Sequence, residues 1–218
     1  MSLVSNLFLI FVALSLLVYY IVPQKLQWIV LLVFSYIYYL AGGPRYVVFI
    51  LFSTLVTWLM AIFIEKTEEK GNHKGAKKLL ITGLILNFGM LGIVKYTNFT
   101  IENINALFHL HLRGIELLFP LGISFYTFQS SGYLLDVYWK RCKAEKQPFK
   151  YALFVSYFPQ ILQGPIGRYN RLANQLYEGH KFNGKNIVRG FERILWGFFK
   201  KMVLADRDRQ TDNLRRQL

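Results

Sequence analysis

Residues 3–22 carry no charged side chain, and fourteen of the twenty are Leu, Ile, Val or Phe. A helix needs about this many apolar residues to cross a hydrocarbon core roughly 30 Å thick. On an insertion scale the run favours the bilayer by about −4 to −8 kcal/mol. It has no basic leader and no small-x-small cleavage site, so it is expected to be a retained span rather than a signal peptide. Tyr19 and Tyr20 suit an interfacial aromatic belt.

The pattern repeats along the chain. Residues 26–41 form a second apolar run, closed by a Gly-Gly-Pro-Arg turn at 42–45, and residues 46–64 form a third. A fourth, 79–94, is short for a span and is expected to extend at its ends. It contains Asn87 near Gly83, Gly89 and Gly92. In lipid, small residues let helices approach, and an Asn bonds across such a contact. Residues 95–116 are mixed. A fifth run, 119–137, opens with Pro120. Residues 151–166 are apolar but broken by Pro159, Gln160, Gln163, Gly164 and Pro165. So broken a run predicts a re-entrant or discontinuous segment, which membranes tolerate only where protein or water meets the freed backbone groups. Over 186–204, apolar residues recur at helical spacing opposite Arg189, Glu192, Arg193, Lys200 and Lys201. That is an amphipathic helix suited to the membrane interface or to packing against the spans.

Only 17% of the residues are charged, against about 25% in an ordinary soluble domain. The net charge is nevertheless +14. Its position gives its meaning. The basic residues flank the apolar runs, and no nucleic-acid recognition motif accompanies them, so nucleic acid is not an expected partner. The stretches 65–78 and 140–150 each hold five Lys or Arg and are expected on the cytoplasmic side. The two runs between them return the chain to the same side. Counting back over three spans puts the N-terminus outside, with Arg45 a minor exception. The polar tail 208–218 contains no apolar run.

Chemistry-bearing motifs are scarce. The single cysteine, Cys142, excludes an internal disulfide and is expected to be an unmodified juxtamembrane thiol. His73 and His180 sit in polar loops. His109 and His111 form a His-x-His pair without a third ligand, so no metal is expected. There is no nucleophile elbow, P-loop or His-Glu-x-x-His motif. Asp136 ends the fifth run, either lining a cavity or pairing with Arg141 or Lys140. Two stretches stand out, PLGISFYTFQ at 120–129 and FPQILQGPIGRY at 158–169. Both place hydroxyls, amides and helix-breaking residues at membrane depth, which costs free energy unless they are satisfied.

These two stretches resemble the membrane-bound O-acyltransferases, in particular the bacterial branch of alginate O-acetyltransferases and teichoic-acid D-alanine transferases. KYTNF at 95–99, YLLDVY at 133–138 and FKKMVLADR at 199–207 are similar to that branch too. The resemblance implies an all-α integral membrane fold, a multi-pass helical bundle contributing to a funnel, in the bacterial cytoplasmic membrane. It implies no bound cofactor, and an acyl donor (acyl-CoA or an acyl carrier protein) arriving from the cytoplasm. Hydroxyls of a cell-surface polysaccharide such as alginate would receive the acyl group, with acetyl the expectation. Implied partners are membrane lipids and extracytoplasmic polysaccharide-modifying proteins. Carried over residue by residue, Ser124, Tyr126, Gln129, Gln163, Gly164, Pro165 and Arg168 become candidates for lining the acyl path, with Arg168 meeting a phosphate at its cytoplasmic mouth.

Family members use a histidine in a later buried helix as general base. No position here matches it. The resemblance covers residues 1–207, and residues 208–218 read as a truncated or frame-disrupted tail. The chain is therefore expected to be the N-terminal portion of such an enzyme, inactive by itself. The alternative is a non-enzymatic membrane scaffold.

Overall fold

The computed structural model describes residues 6–108, 122–161, 167–200 and Val203. Nine α-helices, two short 3-10 turns and no strand are found among them. They fall into two units, 1–179 and 180–218. The first holds α1 (Asn6–Ile21), α2 (Gln27–Gly42), α3 (Val47–Glu69), α4 (His73–Phe108), α5 (Ile123–Tyr138), α6 (Pro148–Ser156), α7 (Phe158–Ile161) and α8 (Tyr169–Tyr177). The second holds α9 (Gly184–Phe199). Three segments, Gln24–Gly42, Pro44–Glu69 and His73–Leu107, are long and apolar enough to cross a membrane, and Leu7–Ile21 is a shorter apolar helix. This is an all-α integral membrane protein, as the apolar runs imply.

Helices outlast the apolar runs that seed them. α3 continues to Glu69 and α4 starts at His73, so most of the polar stretch 65–78 is helical. The turn between them needs Gly71 at φ +74°, and Asn72 Oδ1 caps α4 by accepting from Gly75 N–H at 2.9 Å. α4 then runs through the mixed residues 95–108. Its 36 residues make a rod about 54 Å long, well beyond the thickness of a hydrocarbon core.

The centre of the first unit is the mutual packing of α3, α4 and α5. Asn87 on α4 is 1% exposed and sits in this seam. Its Oδ1 accepts from Ser53 Oγ at 2.6 Å, and its Nδ2 donates to Thr57 Oγ1 at 2.9 Å and to the Gly83 carbonyl at 3.0 Å. Gly83 permits the approach: a Cβ there would stand 2.9 Å from Leu134 Cδ1 and 3.4 Å from Met60 Cβ. Gly89 and Gly92 have open space instead, so of the three glycines near Asn87 only Gly83 serves close packing.

α2 packs on α1, α6 and α7, and α6 also contacts α3 and α5. Rings of Phe8, Phe11, Tyr38 and Phe158 fasten α1 to α2 and α7, with centroids 5.3–6.5 Å apart.

α9 is a separate body with no buried residue. Asn183 Oδ1 caps it by accepting from Lys185 N–H at 3.1 Å. Ile187, Val188, Phe191, Ile194 and Leu195 are exposed on it, and Trp196 stacks on Phe199 at 5.3 Å.

Candidate functional site

The broken run behaves as its composition predicts. α6 ends at Ser156, Tyr157 turns away from helical geometry (φ −51°, ψ 107°), and α7 adds a single turn. A helix cut inside the bundle leaves backbone groups unpaired. Side chains of its neighbours meet them. Gln129 Nε2 on α5 donates to the Phe154 carbonyl at 2.9 Å. Ser35 Oγ on α2 accepts from Phe158 N–H at 3.2 Å and donates to the Leu31 carbonyl at 2.7 Å. Ser156 Oγ returns to the Ala152 carbonyl at 2.8 Å. All of α6 from Tyr151 to Ser156 is buried.

α5 supplies three of the predicted site residues. It begins after Gly122, whose φ of +71° favours glycine and whose Cβ would meet the Ile161 carbonyl at 2.8 Å. Ser124 is half-buried, Tyr126 is fully buried, and Gln129 is the buried donor just described. Arg168 is exposed at the start of α8. The next residue, Tyr169, packs on Tyr133 at 4.7 Å. Tyr126 and Tyr133 are seven residues, about 10 Å, apart along α5. Arg168 thus lies toward one end of α5 and Ser124 and Tyr126 toward the other. Gln163, Gly164 and Pro165 lie outside the described residues, as do His109 and His111.

Around the end of α5 an electrostatic clasp forms that the sequence did not announce. The helix closes in a Schellman turn: Arg141 N–H bonds the Asp136 carbonyl at 2.8 Å and Lys140 N–H bonds that of Val137 at 3.0 Å. The left-handed position of this turn, usually glycine, is Lys140 at φ 58°. Its ammonium reaches Glu68 Oε2 at 3.2 Å, and His73 Nδ1 approaches the same oxygen at 2.7 Å. Glu65 Oε1 accepts from Ala144 N–H at 3.1 Å. The two basic stretches therefore meet at one end of the helices. Asp136 pairs with Arg141 at 3.6 Å, one of the two partners anticipated for it.

Beside the clasp a cleft of about 610 Å³ is lined by residues of the 140–150 stretch together with Glu65, Glu69, Tyr169 and Tyr177. Tyr169 Oη donates to Glu145 Oε2 at 2.7 Å and Tyr177 Oη to the Lys150 carbonyl at 2.7 Å. Burial, with the carboxylates of Asp136 and Glu65 nearby, pushes the Cys142 thiol up to about 12. It is therefore protonated at neutral pH and is no nucleophile. Among the described residues, no group of three His, Cys, Asp or Glu side chains is placed to hold a metal.

Known proteins are similar to this sequence over most of its length. Over 209 residues, 93% of the chain, it is 33% identical to "Probable alginate O-acetylase AlgI" of Pseudomonas syringae pv. tomato. The protein of the same name from Pseudomonas putida is 32% identical over 209 residues. The peptidoglycan O-acetyltransferase of Helicobacter pylori is 32% identical over 206 residues, 82% of the chain. The chain belongs to the membrane-bound O-acyltransferase family. It spans 39%, 42% and 38% of the lengths of these three relatives. No family model matches the chain, and no solved structure matches it. Within this chain, the clasp is a feature that sequence reasoning missed, and the satisfied helix break is one it saw only in outline.

Proposed function

We propose that this chain is the N-terminal portion of a membrane O-acyltransferase that moves an acyl group, acetyl by expectation, to hydroxyls of a cell-surface polysaccharide. The observation that carries the reading is the match along 93% of the chain to a protein named as an alginate O-acetylase. The buried, polar-lined break α6–α7 supports it, because irregular backbone inside a bilayer belongs where protein encloses a path.

On this reading the end that holds the clasp faces the cytoplasm of a bacterial cell, since both lysine-rich stretches lie there. The N-terminus is outside. The acyl donor, acyl-CoA or an acyl carrier protein, enters at that basic end, near Arg168. Ser124, Tyr126 and Gln129 belong to the wall of the acyl path, with Gln163, Gly164 and Pro165 beyond the break. α9 lies in the interface with Lys185, Arg189 and Arg193 toward the headgroups. Extracytoplasmic partner proteins pass the acyl group on or present the polysaccharide. The general base that takes the acceptor proton lies outside residues 1–207, so the chain by itself transfers nothing.

Deleting the coding sequence that contains this chain tests the function. Base-labile acetate on the surface polysaccharide is expected to fall to background and return on complementation. An unchanged acetate content sinks the proposal. Liposomes carrying only the purified chain and an acetyl donor are expected to acetylate no alginate. Transfer that disappears on His109→Ala or His111→Ala overturns the inactivity of the isolated chain.

A further inference from the structure

α9 belongs to the second unit and has no buried residue. It is 16 residues long and carries Gly190 and Gly197 in its interior, both of which weaken a helix relative to Ala. A helix of this length without packing is marginal in water. A surface outside the unit is needed to hold it, and its two faces define that surface.

At 3.6 residues per turn, Ile187, Val188, Phe191, Ile194 and Leu195 fall within an arc of about 120°, and all five are exposed. Lys185, Arg189 and Arg193 fall within an arc of about 80° on the opposite side, and they too are exposed. None of the three is ion-paired among the described residues. Glu192, at the edge of the basic arc, is the one carboxylate on α9. Trp196 lies among the cations, stacked on Phe199 at 5.3 Å with the Lys200 ammonium 5.3 Å from its ring centre. An indole of this kind suits the headgroup level of a bilayer. Packing against further polypeptide would use the apolar arc but not three uncompensated cations opposite it. A helix lying in a bilayer surface uses both, because the apolar side chains sink beneath the headgroups while Lys and Arg meet their phosphates. The chain has three segments able to cross a bilayer, so that surface is within reach.

We propose that α9 docks on an anionic phospholipid surface, and that the headgroup charge decides how much of it is docked. The proposal rests on the interfacial placement of α9 given above and adds the class of lipid. The apolar arc supplies attraction to any bilayer. Lys185, Arg189 and Arg193 supply the discrimination. Each cation near an anionic surface strengthens binding about five-fold. Three cations, less one for Glu192, give roughly a 25-fold preference for an anionic over a zwitterionic surface.

The full chain in nanodiscs tests this, with Cys142→Ser removing the native thiol and Phe191→Cys carrying an environment-sensitive fluorophore on the apolar arc. The nanodiscs are phosphatidylcholine alone or phosphatidylcholine with phosphatidylglycerol, each with a nitroxide-labelled lipid as quencher. The docked-to-free ratio of the label is expected to rise about 25-fold with phosphatidylglycerol and to fall again at high salt. Lys185→Gln, Arg189→Gln and Arg193→Gln together touch only exposed side chains and are expected to abolish the difference between the two lipids. Equal quenching in both lipids overturns the charge dependence and leaves the interfacial placement standing. A preference that survives the triple substitution overturns the role of these cations. A label that quenches in neither lipid overturns the docking and the placement together, and blue-shifted emission without quenching gives the apolar arc to further polypeptide instead. The polysaccharide acetate measurement above is independent of all these outcomes, so failure here and failure of the proposed function are read separately.

Discussion

Two sets of polar side chains are buried in the first unit, and they are handled differently. In the α3–α4 seam, Asn87, Ser53 and Thr57 close on one another and on a carbonyl. Along α2 and α5, the hydroxyls of Tyr38, Tyr39, Tyr126, Thr127 and Ser131 are buried and find no hydrogen-bond partner of ordinary geometry among the described residues. In lipid no water reaches such groups, and each costs about 1–3 kcal/mol when left unpaired. A closed set is what a structural joint requires. An open set is what a path for a polar group, or a contact with further polypeptide, requires. Burial alone does not separate the two; the hydrogen-bond accounting does.

The closed seam gives the largest expected effects. Gly83→Leu drives a branched side chain into Leu134 and the Met60 backbone-proximal carbon, where even a Cβ is crowded. Overpacking of this kind is expected to destabilise the chain by about 3 kcal/mol, read as loss of folded protein in a detergent unfolding titration. Asn87→Leu removes three hydrogen bonds and strands the Ser53 and Thr57 hydroxyls. Two of the three cross between helices, at about 0.6 kcal/mol each in membranes, and the stranded hydroxyls add to that, so a loss of about 2 kcal/mol is expected in the same titration. An unchanged midpoint would make the seam no joint at all.

The seam was half legible in the sequence. An Asn among glycines in an apolar run names a helix contact, but three glycines compete, and only the packed bundle selects Gly83. That the fourth run extends beyond 79–94 was legible, but how far was not: residues 95–116 read only as mixed, because hydropathy registers the edge of an apolar run and not the end of a helix, and α4 continues to Phe108. The Schellman turn was invisible for a related reason: the sequence cue is glycine, and Lys140 takes the position with its ammonium tethered to Glu68. Of the candidate site, the chain break near Pro159 was readable. Its partners Gln129 and Ser35 were not, because they come from helices 25 and 123 residues away.

Gln129 belongs to both sets by position and to the closed one by bonding. Gln129→Leu leaves the Phe154 carbonyl in α6 without its donor. A loss of about 1–2 kcal/mol is expected, with faster proteolysis near residue 157 as the local sign of a loosened break. Gln129→Glu keeps the shape but replaces the donor with an acceptor, and is expected to be worse. If Gln129→Leu is silent in both measurements, the amide is free for another role and the helix break is held elsewhere.

Tyr126 is the sharpest probe of the open set. It is fully buried, and its hydroxyl lies near that of Tyr39 without a hydrogen bond of ordinary geometry between them. Tyr126→Phe keeps the ring and deletes only the oxygen. A hydroxyl that stabilised the fold would cost about 1 kcal/mol on removal. Removing an unpaired one forfeits no bond, so the unfolding midpoint is expected to stay within about 0.5 kcal/mol of its original value, or to rise. On the proposed function, acetate transfer by a longer protein that contains this chain supplies the second axis. If the open hydroxyls line the acyl path, Tyr126→Phe lowers transfer while stability holds. Lost stability would place Tyr126 in the closed set. If stability and transfer both hold, the hydroxyl faces further polypeptide, and a survey of suppressors outside residues 1–207 becomes the next measurement.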